Sequence, residues 1–242
     1  MNILKGLVWG LIPARGGSKS IPMKNLVDLA GRPMLDYQVL AARASGRIDR
    51  LLCSTDDDRI AGHCAALEVE VHPRPAVLAD DAAPVIDAIR HVVEDLHSRE
   101  GGVAEAIALL QPTSPFLLGE HVRDVVDALL DDPDAGSAQT VIRCPHNHHA
   151  LNQRVIDEGY VGFRFPDERA QAFNKQRKRP HFLFGNVLVF RTEAALQQNA
   201  PFAAPSRPVE IPFHQGFDLD NADDLRLARA LLDSGLVRLP VP

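Results

Sequence analysis

The chain has 242 residues, 45% hydrophobic and 24% charged, an ordinary globular composition that suits one large domain or one domain with an appendage. A formal net charge of −6 gives no global attraction to nucleic acid, and three scattered cysteines make neither a disulfide framework nor a Cys-rich zinc site. No segment approaches the roughly 20 apolar residues of a membrane span, so a reduced, cytoplasmic protein with no nucleic-acid or membrane partner is expected.

The first residues hold one Lys and an apolar run like a short secretory leader. The run ends in a Gly-rich basic loop without a small-x-small cleavage site, so it reads as a buried strand over 8–13. A helix is predicted over 34–44, with Leu35, Val39, Leu40 and Ala42 on its apolar side. A strand at 50–54, a helix at 58–67 and a brief strand at 69–71 follow. Residues 85–97 carry Ile86, Ile89, Val92, Val93 and Leu96 at helical spacing. A central strand at 106–110 and a helix at 122–130 come next. Repeated strand–helix units imply parallel strands joined by right-handed crossovers, hence an α/β, doubly wound, mostly parallel sheet.

A further strand is predicted at 140–143. Beyond it the chain turns polar, rich in His, Asn, Arg and Pro, with no helical period. Residues 144–180 therefore read as an inserted arm, either paired across a dimer axis or folded over a site. Strands are predicted at 182–191 and 217–219, and a last helix at 224–233. Residues 1–143 and 181–242 would then form the α/β domain.

The first motif is Leu11-Ile12-Pro13-Ala14-Arg15-Gly16-Gly17-Ser18-Lys19, continuing to Pro22, Lys24 and Asn25. It follows the first strand directly, at the edge where α/β sheets bind ligands. Adjacent glycines let a backbone approach a phosphate closely, and Arg15, Lys19 and Lys24 supply positive charge against a polyphosphate. The loop has neither Walker A nor G-x-G-x-x-G spacing, and a bare GG turn is equally a surface feature.

This stretch closely resembles the signature of the acylneuraminate cytidylyltransferases, which make CMP-sialic acids, and further matches span nearly the whole chain. The resemblance implies that Ala14, Arg15, Gly16, Gly17, Ser18, Lys24 and Asn25 wrap the CTP triphosphate. Gly31-Arg32-Pro33-Met34-Leu35 is similar to a turn shared by sugar nucleotidyltransferases. Ser54-Thr55-Asp56-Asp57 fits a family segment and also reads as a helix N-cap. Arg74-Pro75 with Leu78-Ala79-Asp80-Asp81 resembles a segment whose Arg lies near the nucleotide. Gln111-Pro112-Thr113-Ser114-Pro115 is nearly diagnostic, and the Gln111 amide offers both a donor and an acceptor to a pyrimidine edge. Gln111, Thr113, Ser114 and Asn186 are expected at the sugar, with Arg177 or Lys178 holding its carboxylate.

Phe217-Asp218-Leu219-Asp220 places two carboxylates at period two, on one side of a strand. Hard oxygen ligands of this kind suit Mg²⁺, although exposed strand-end aspartates are common. The pair resembles the family's late D-x-D, which implies that Asp218 and Asp220 hold the metal. Asp223 and Asp224 belong to the first turn of the last helix. The arm segment Cys144-Pro145-His146-Asn147-His148-His149 lacks the thiolate spacing or H-E-x-x-H of a zinc site.

Four positions depart from the family pattern. Asn152 stands where a Lys is usual, Lys175 replaces an Arg, Val187 replaces a Gly, and Val85 replaces a Ser or Thr. The resemblance implies transfer of CMP from CTP to the anomeric hydroxyl of a nine-carbon 2-keto sugar acid by a homodimer, with Arg15, Lys24 and Asp220 in catalytic roles. Alternatives are another ulosonic acid (legionaminic, pseudaminic or KDO-like), a sugar-1-phosphate, or a catalytically silent nucleotide-binding subunit.

Overall fold

The computed structural model describes residues 1–172 and 179–240. Strand β1 (Ile3–Pro13) leads through the glycine loop to the small hairpin β2 (Asp28–Leu29) and β3 (Arg32–Pro33), then to α1 (Met34–Ser45). The alternation continues with β4 (Arg50–Thr55), α2 (Asp58–Ala66), β5 (Glu70–Pro73), α3 (Val85–Glu100), β6 (Val103–Leu109), α4 (Gly119–Leu130) and β7 (Ser137–Arg143). The arm contributes β8 (Arg154–Asp157), β9 (Tyr160–Phe163) and α5 (Pro166–Gln171). After it come β10 (Phe182–Arg191), α6 (Thr192–Gln198), β11 (Ser206–Ile211) and α7 (Ala222–Asp233).

Among the described residues, seven strands form one sheet in the order β11-β7-β10-β6-β1-β4-β5. Only β10 runs antiparallel to its neighbours. From β1 the chain moves outward through β4 and β5, then returns to place β6 on the other side of β1. That reversal opens a crevice at the carboxyl ends of β1, β4 and β6.

Strand β1 is apolar on both faces because both are covered. Val8 and Ile12 pack with Leu35 and Val39 of α1, Ile60 and Cys64 of α2, and Val122, Val125 and Leu129 of α4. Trp9 and Leu11 face Ile89, Val93 and Leu96 of α3 and Ala195 of α6. Each such side chain, fully buried, contributes about 1.5–3 kcal/mol over its exposed state. A third cluster joins Leu29, Met34, Tyr37, Phe116 and Leu219 to Ala228 of α7. It ties the last helix to the crevice.

Two sequence expectations need correction, and two elements had no predicted counterpart. Strand β1 begins at Ile3 rather than at residue 8, because a register shift between Leu4 and Val8, with Gly6 at φ 79°, breaks the apolar pattern. Residues 217–219 are not a strand. Phe217 is extended and the Leu219 N–H donates to Thr113 O at 2.8 Å, while the sheet edge belongs to β11. Strand β11 escaped notice because Pro208 interrupts it, which an edge strand tolerates. Helix α6 likewise had no predicted counterpart.

The described part of the arm contributes no strand to the main sheet. Strands β8 and β9 make a hairpin whose turn residues Glu158 and Gly159 both have positive φ, at 48° and 83°. Ile156 and Tyr160 on it are 80% and 81% exposed.

Candidate active site

Arg15, Ser18, Lys19, Lys24 and Asn25 from the glycine loop line a cleft of about 560 Å³ together with Arg74, Asp80, Asp81, Gln111, Thr113 and Asp220. These residues lie far apart in sequence. The fold unites them because β1, β4, β5 and β6 all end at this edge of the sheet.

The loop is anchored at both ends. The Ala14 amide donates to Ser54 O at 3.0 Å, extending the β1–β4 pairing by one residue, and Ala14 is fully buried. The Asn25 side chain donates to Arg15 O at 2.8 Å and closes the loop on itself. Gly16 is required sterically, because a Cβ there would meet Asp57 Oδ2 at 2.6 Å. The Gly16 amide donates to Asp56 Oδ1 at 2.9 Å, so it is engaged rather than open to an anion. Asp57 caps α2 by accepting from the Arg59 and Ile60 amides.

The cations of the cleft are paired. Arg15 contacts Asp81 at 2.5 Å and donates to Ala79 O at 3.2 Å, and Lys19 contacts the other oxygen of Asp81 at 2.5 Å. Lys24 lies 3.3 Å from Asp220 Oδ1, and the Ser20 hydroxyl donates to Asp220 O. Arg74 differs. It donates from Nε to Ser54 Oγ at 3.1 Å and from a terminal nitrogen to Ser54 O at 2.9 Å, and among the described residues it has no ion pair. Burial draws its guanidinium below the usual Arg range, against the nearby Asp56 charge.

Asp218 and Asp220 flank Leu219, which is fully buried against Phe116. The alternation expected of a strand thus survives without a strand: leucine inward, both carboxylates outward. Asp220 lines the cleft, whereas Asp218 accepts a hydrogen bond from Thr113 behind it. Partial desolvation holds the Asp218 carboxyl above the ordinary carboxylate range. The Thr113 bond and Lys24 oppose that shift, while Asp220 and Asp224 add to it. A surplus of negative charge among hard oxygen donors fits Mg²⁺, whose other positions go to water and phosphate. Among the described residues no group of three or more His, Cys, Asp or Glu is arranged to hold a metal, so the fit rests on this pair.

Several expected site residues lie elsewhere. Asn186 is fully buried, so its expected contact with the sugar is corrected. Its amide donates to His121 Nδ1 at 3.0 Å and to Gln215 O at 2.9 Å, and its Oδ1 accepts from Thr140 at 3.1 Å. Ser114 is 1% exposed, and its carbonyl accepts from Gln38; it belongs to the wall behind Gln111. Ala14, Gly16 and Gly17 shape the loop without lining the cleft. Arg177, Lys178 and Lys175 fall outside the described residues. At Asn152 the arm nonetheless supplies a cation, since Arg169 donates to its Oδ1 at 2.5 Å and stacks 3.9 Å from the Phe163 ring. His149 is a buried structural residue, stacked on His181 at 3.9 Å.

The sequence reading assigned no site role to Ser54 as the seat of Arg74, to Ser20, or to Asp81 as a partner of two loop cations. Nothing local marks these residues, because each contact joins segments that only the fold brings together.

The cytidylyltransferase family model matches residues 9–160. The N-acylneuraminate cytidylyltransferase of Escherichia coli O18:K1:H7 is 33% identical over 218 residues, 90% of this chain and 50% of that protein. The pseudaminic acid cytidylyltransferase of Campylobacter jejuni is 23% identical over 223 residues, covering 91% of this chain and 94% of the relative. The chain spans about half the length of the N-acylneuraminate relatives from E. coli and Streptococcus agalactiae. A solved CMP:2-keto-3-deoxy-manno-octonic acid synthetase complexed with CTP shares the fold, with a TM-score of 0.70 at 20% identity over 95% of this chain and 99% of its own. With the matched region running from β1 through the glycine loop, Arg74 and Gln111 into the arm, the chain belongs to the cytidylyltransferase family.

Proposed function

We propose that this protein transfers CMP from CTP to the anomeric hydroxyl of a nine-carbon, sialic-acid-like 2-keto sugar acid, releasing pyrophosphate. The observation that carries the reading is the shared cleft, in which a cationic glycine loop meets Asp220 while Arg74 and Gln111 line the same space. The relatives named for N-acylneuraminate and pseudaminic acid support an ulosonic acid as acceptor.

In this mechanism Gln111 reads the pyrimidine edge through its amide. Arg74, seated on Ser54, neutralises a phosphate without first breaking an ion pair. Arg15 and Lys24 stabilise charge that grows on the departing pyrophosphate. The acceptor hydroxyl oxygen bonds to the α-phosphorus, the bond to the β-phosphate oxygen breaks, and the hydroxyl proton passes to Asp220 or to water. Asp218 and Asp220 would hold a Mg²⁺ ion, which when bound supplies Lewis-acid polarisation of the phosphate. The exposed β8–β9 hairpin suits pairing of two copies as a homodimer, and the protein works in the cytoplasm on soluble substrates.

The test is pyrophosphate release with CTP, Mg²⁺ and a panel of ulosonic acids, with product mass identifying the acceptor. Turnover with a nine-carbon acid supports the proposal. Turnover only with an eight-carbon acid overturns its substrate half. Silence with every acid, despite intact CTP binding, leaves a nucleotide-binding subunit instead.

A further inference from the structure

We infer that Asp81 is an internal counterion for the polyphosphate seat, holding Arg15 and Lys19 together until a ligand with several phosphates displaces it. Through that exchange Asp81 makes the cleft discriminate by phosphate number. The inference rests on the proposed nucleotide reading of the same cleft.

The geometry is specific. One carboxylate bridges two cations of the loop, with Oδ1 on Arg15 and Oδ2 on Lys19, each at 2.5 Å. Arg15 is tied to the same turn a second time through Ala79 O at 3.2 Å. The turn is built locally, by Ala79 N–H to Ala76 O at 3.0 Å and Ala83 N–H to Asp80 O at 3.1 Å. Leu78, Asp80, Asp81 and Ala83 form the cleft wall facing the loop. The carboxyl of Asp81 is held below its ordinary range by its bonds to Lys19 and Arg15, so it is an anion wherever the protein is folded at neutral pH.

Two further donors of the loop are also met by carboxylates: Gly16 N–H donates to Asp56 and Lys24 lies against Asp220. Arg15, Lys19 and Lys24 are thus each matched by a carboxylate of the same chain. The side chains of Arg15 and Asp81 are 36% and 40% exposed, which places their pairing in the weak, solvent-screened class. A triphosphate offers several anionic groups at once and forms stronger charge-assisted bonds than this single carboxylate. A monophosphate gains little by the exchange.

The experiment titrates wild type and Asp81→Asn, without sugar, with CTP, CMP and inorganic tripolyphosphate by isothermal titration calorimetry. Asp81→Asn should tighten CTP and tripolyphosphate by about two- to tenfold and leave CMP within about twofold. Asp81→Glu, which keeps the charge, should stay close to wild type. Unchanged or weaker binding of CTP and tripolyphosphate by Asp81→Asn overturns the inference, as does an equal gain for CMP, which a general change of the cleft would give. If wild type binds tripolyphosphate but not CTP, the cytidylyl reading fails, while the tripolyphosphate comparison still decides the role of Asp81.

Discussion

Leu219 links the core to the chemistry, and truncating it separates the two contributions. The side chain is fully buried in the cluster of Met34, Tyr37, Phe116 and Ala228, between the two aspartates proposed to hold the metal. Leu219→Ala removes its isobutyl group from a site closed by aromatic rings and α7, at a cost of about 3 kcal/mol from lost transfer energy and the residual cavity. For a chain of this length each kcal/mol moves the melting temperature by about 2–4 °C, so a fall of about 6–12 °C is expected. Thermal unfolding followed by the single tryptophan, Trp9, which sits buried in β1, reads this directly. Steady-state turnover measured well below the melting temperature should fall at least tenfold, because the Asp218–Asp220 spacing depends on leucine holding the segment inward. Leu219→Met, nearly volume-conserving, should cost less than about 1.5 kcal/mol and keep most activity. A variant Leu219→Ala that melts within 1 °C of wild type, or one that melts early but turns over normally when folded, would refute the reasoning.

Asp220→Ala should abolish turnover yet shift melting by no more than about 1–2 °C, because its side chain is 72% exposed; substantial residual activity removes it from the metal site. Ser54→Ala should raise KM for CTP by up to about tenfold with kcat nearly unchanged, since Arg74 loses one hydrogen bond but keeps the Ser54 carbonyl; Ser54→Thr should restore it. Gly185→Ala should destabilise by about 1–3 kcal/mol, because the new Cβ would lie 2.5 Å from Thr140 Oγ1; a neutral effect in urea denaturation contradicts the close approach. His121 and His91 are both held below their usual pKa of 6.5, first by burial, and His121 Nδ1 already accepts from the Leu118 and Asn186 N–H groups. The unfolded chain therefore takes up protons first, so stability is full above pH 6.5 and declines as pH falls below it toward the folded values. The slope reaches at most about 1.4 kcal/mol per pH unit for each histidine, and a melting temperature flat from pH 7 to 5.5 would contradict this.

The alternation of strand and helix was legible because it is a short-range signal. The apolar period of 85–97 became α3, and the runs at 50–54 and 106–110 became β4 and β6, since strands covered on both faces need nothing but apolar residues. The edge was not legible. Strand β11 alternates charge, proline and β-branched residues as an exposed edge strand does, and its pairing with β7 comes from long-range packing. At the site, residue types pointed to phosphate and metal chemistry, and the fold places most of them in one cleft. What the sequence did not carry was the partner of each group. Asn186 matched a family motif, yet His121, Gln215 and Thr140 claim its amide, and those residues approach only when β7, β10 and α4 pack.

The same pairing logic would account for how a chain of net charge −6 receives the proposed polyanionic substrate. At physiological salt the field of distant carboxylates is screened beyond about 8 Å, so affinity is decided by groups inside the cleft. There Arg15, Lys19 and Lys24 face Asp81 and Asp220, and the seat is close to neutral before any ligand arrives. Arg74 stands apart, held by the neutral oxygens of Ser54, and among the described residues of the cleft it offers a charge that a first phosphate meets without breaking an ion pair. A cation placed on Asp220 would release Lys24 from its 3.3 Å contact, and each further phosphate would then exchange for a carboxylate. Binding of CTP should therefore depend on the divalent ion more steeply in wild type than in Asp220→Asn, where Lys24 is already free. A nucleotide affinity equally sensitive to Mg²⁺ in both proteins would show that Lys24 and the metal act independently.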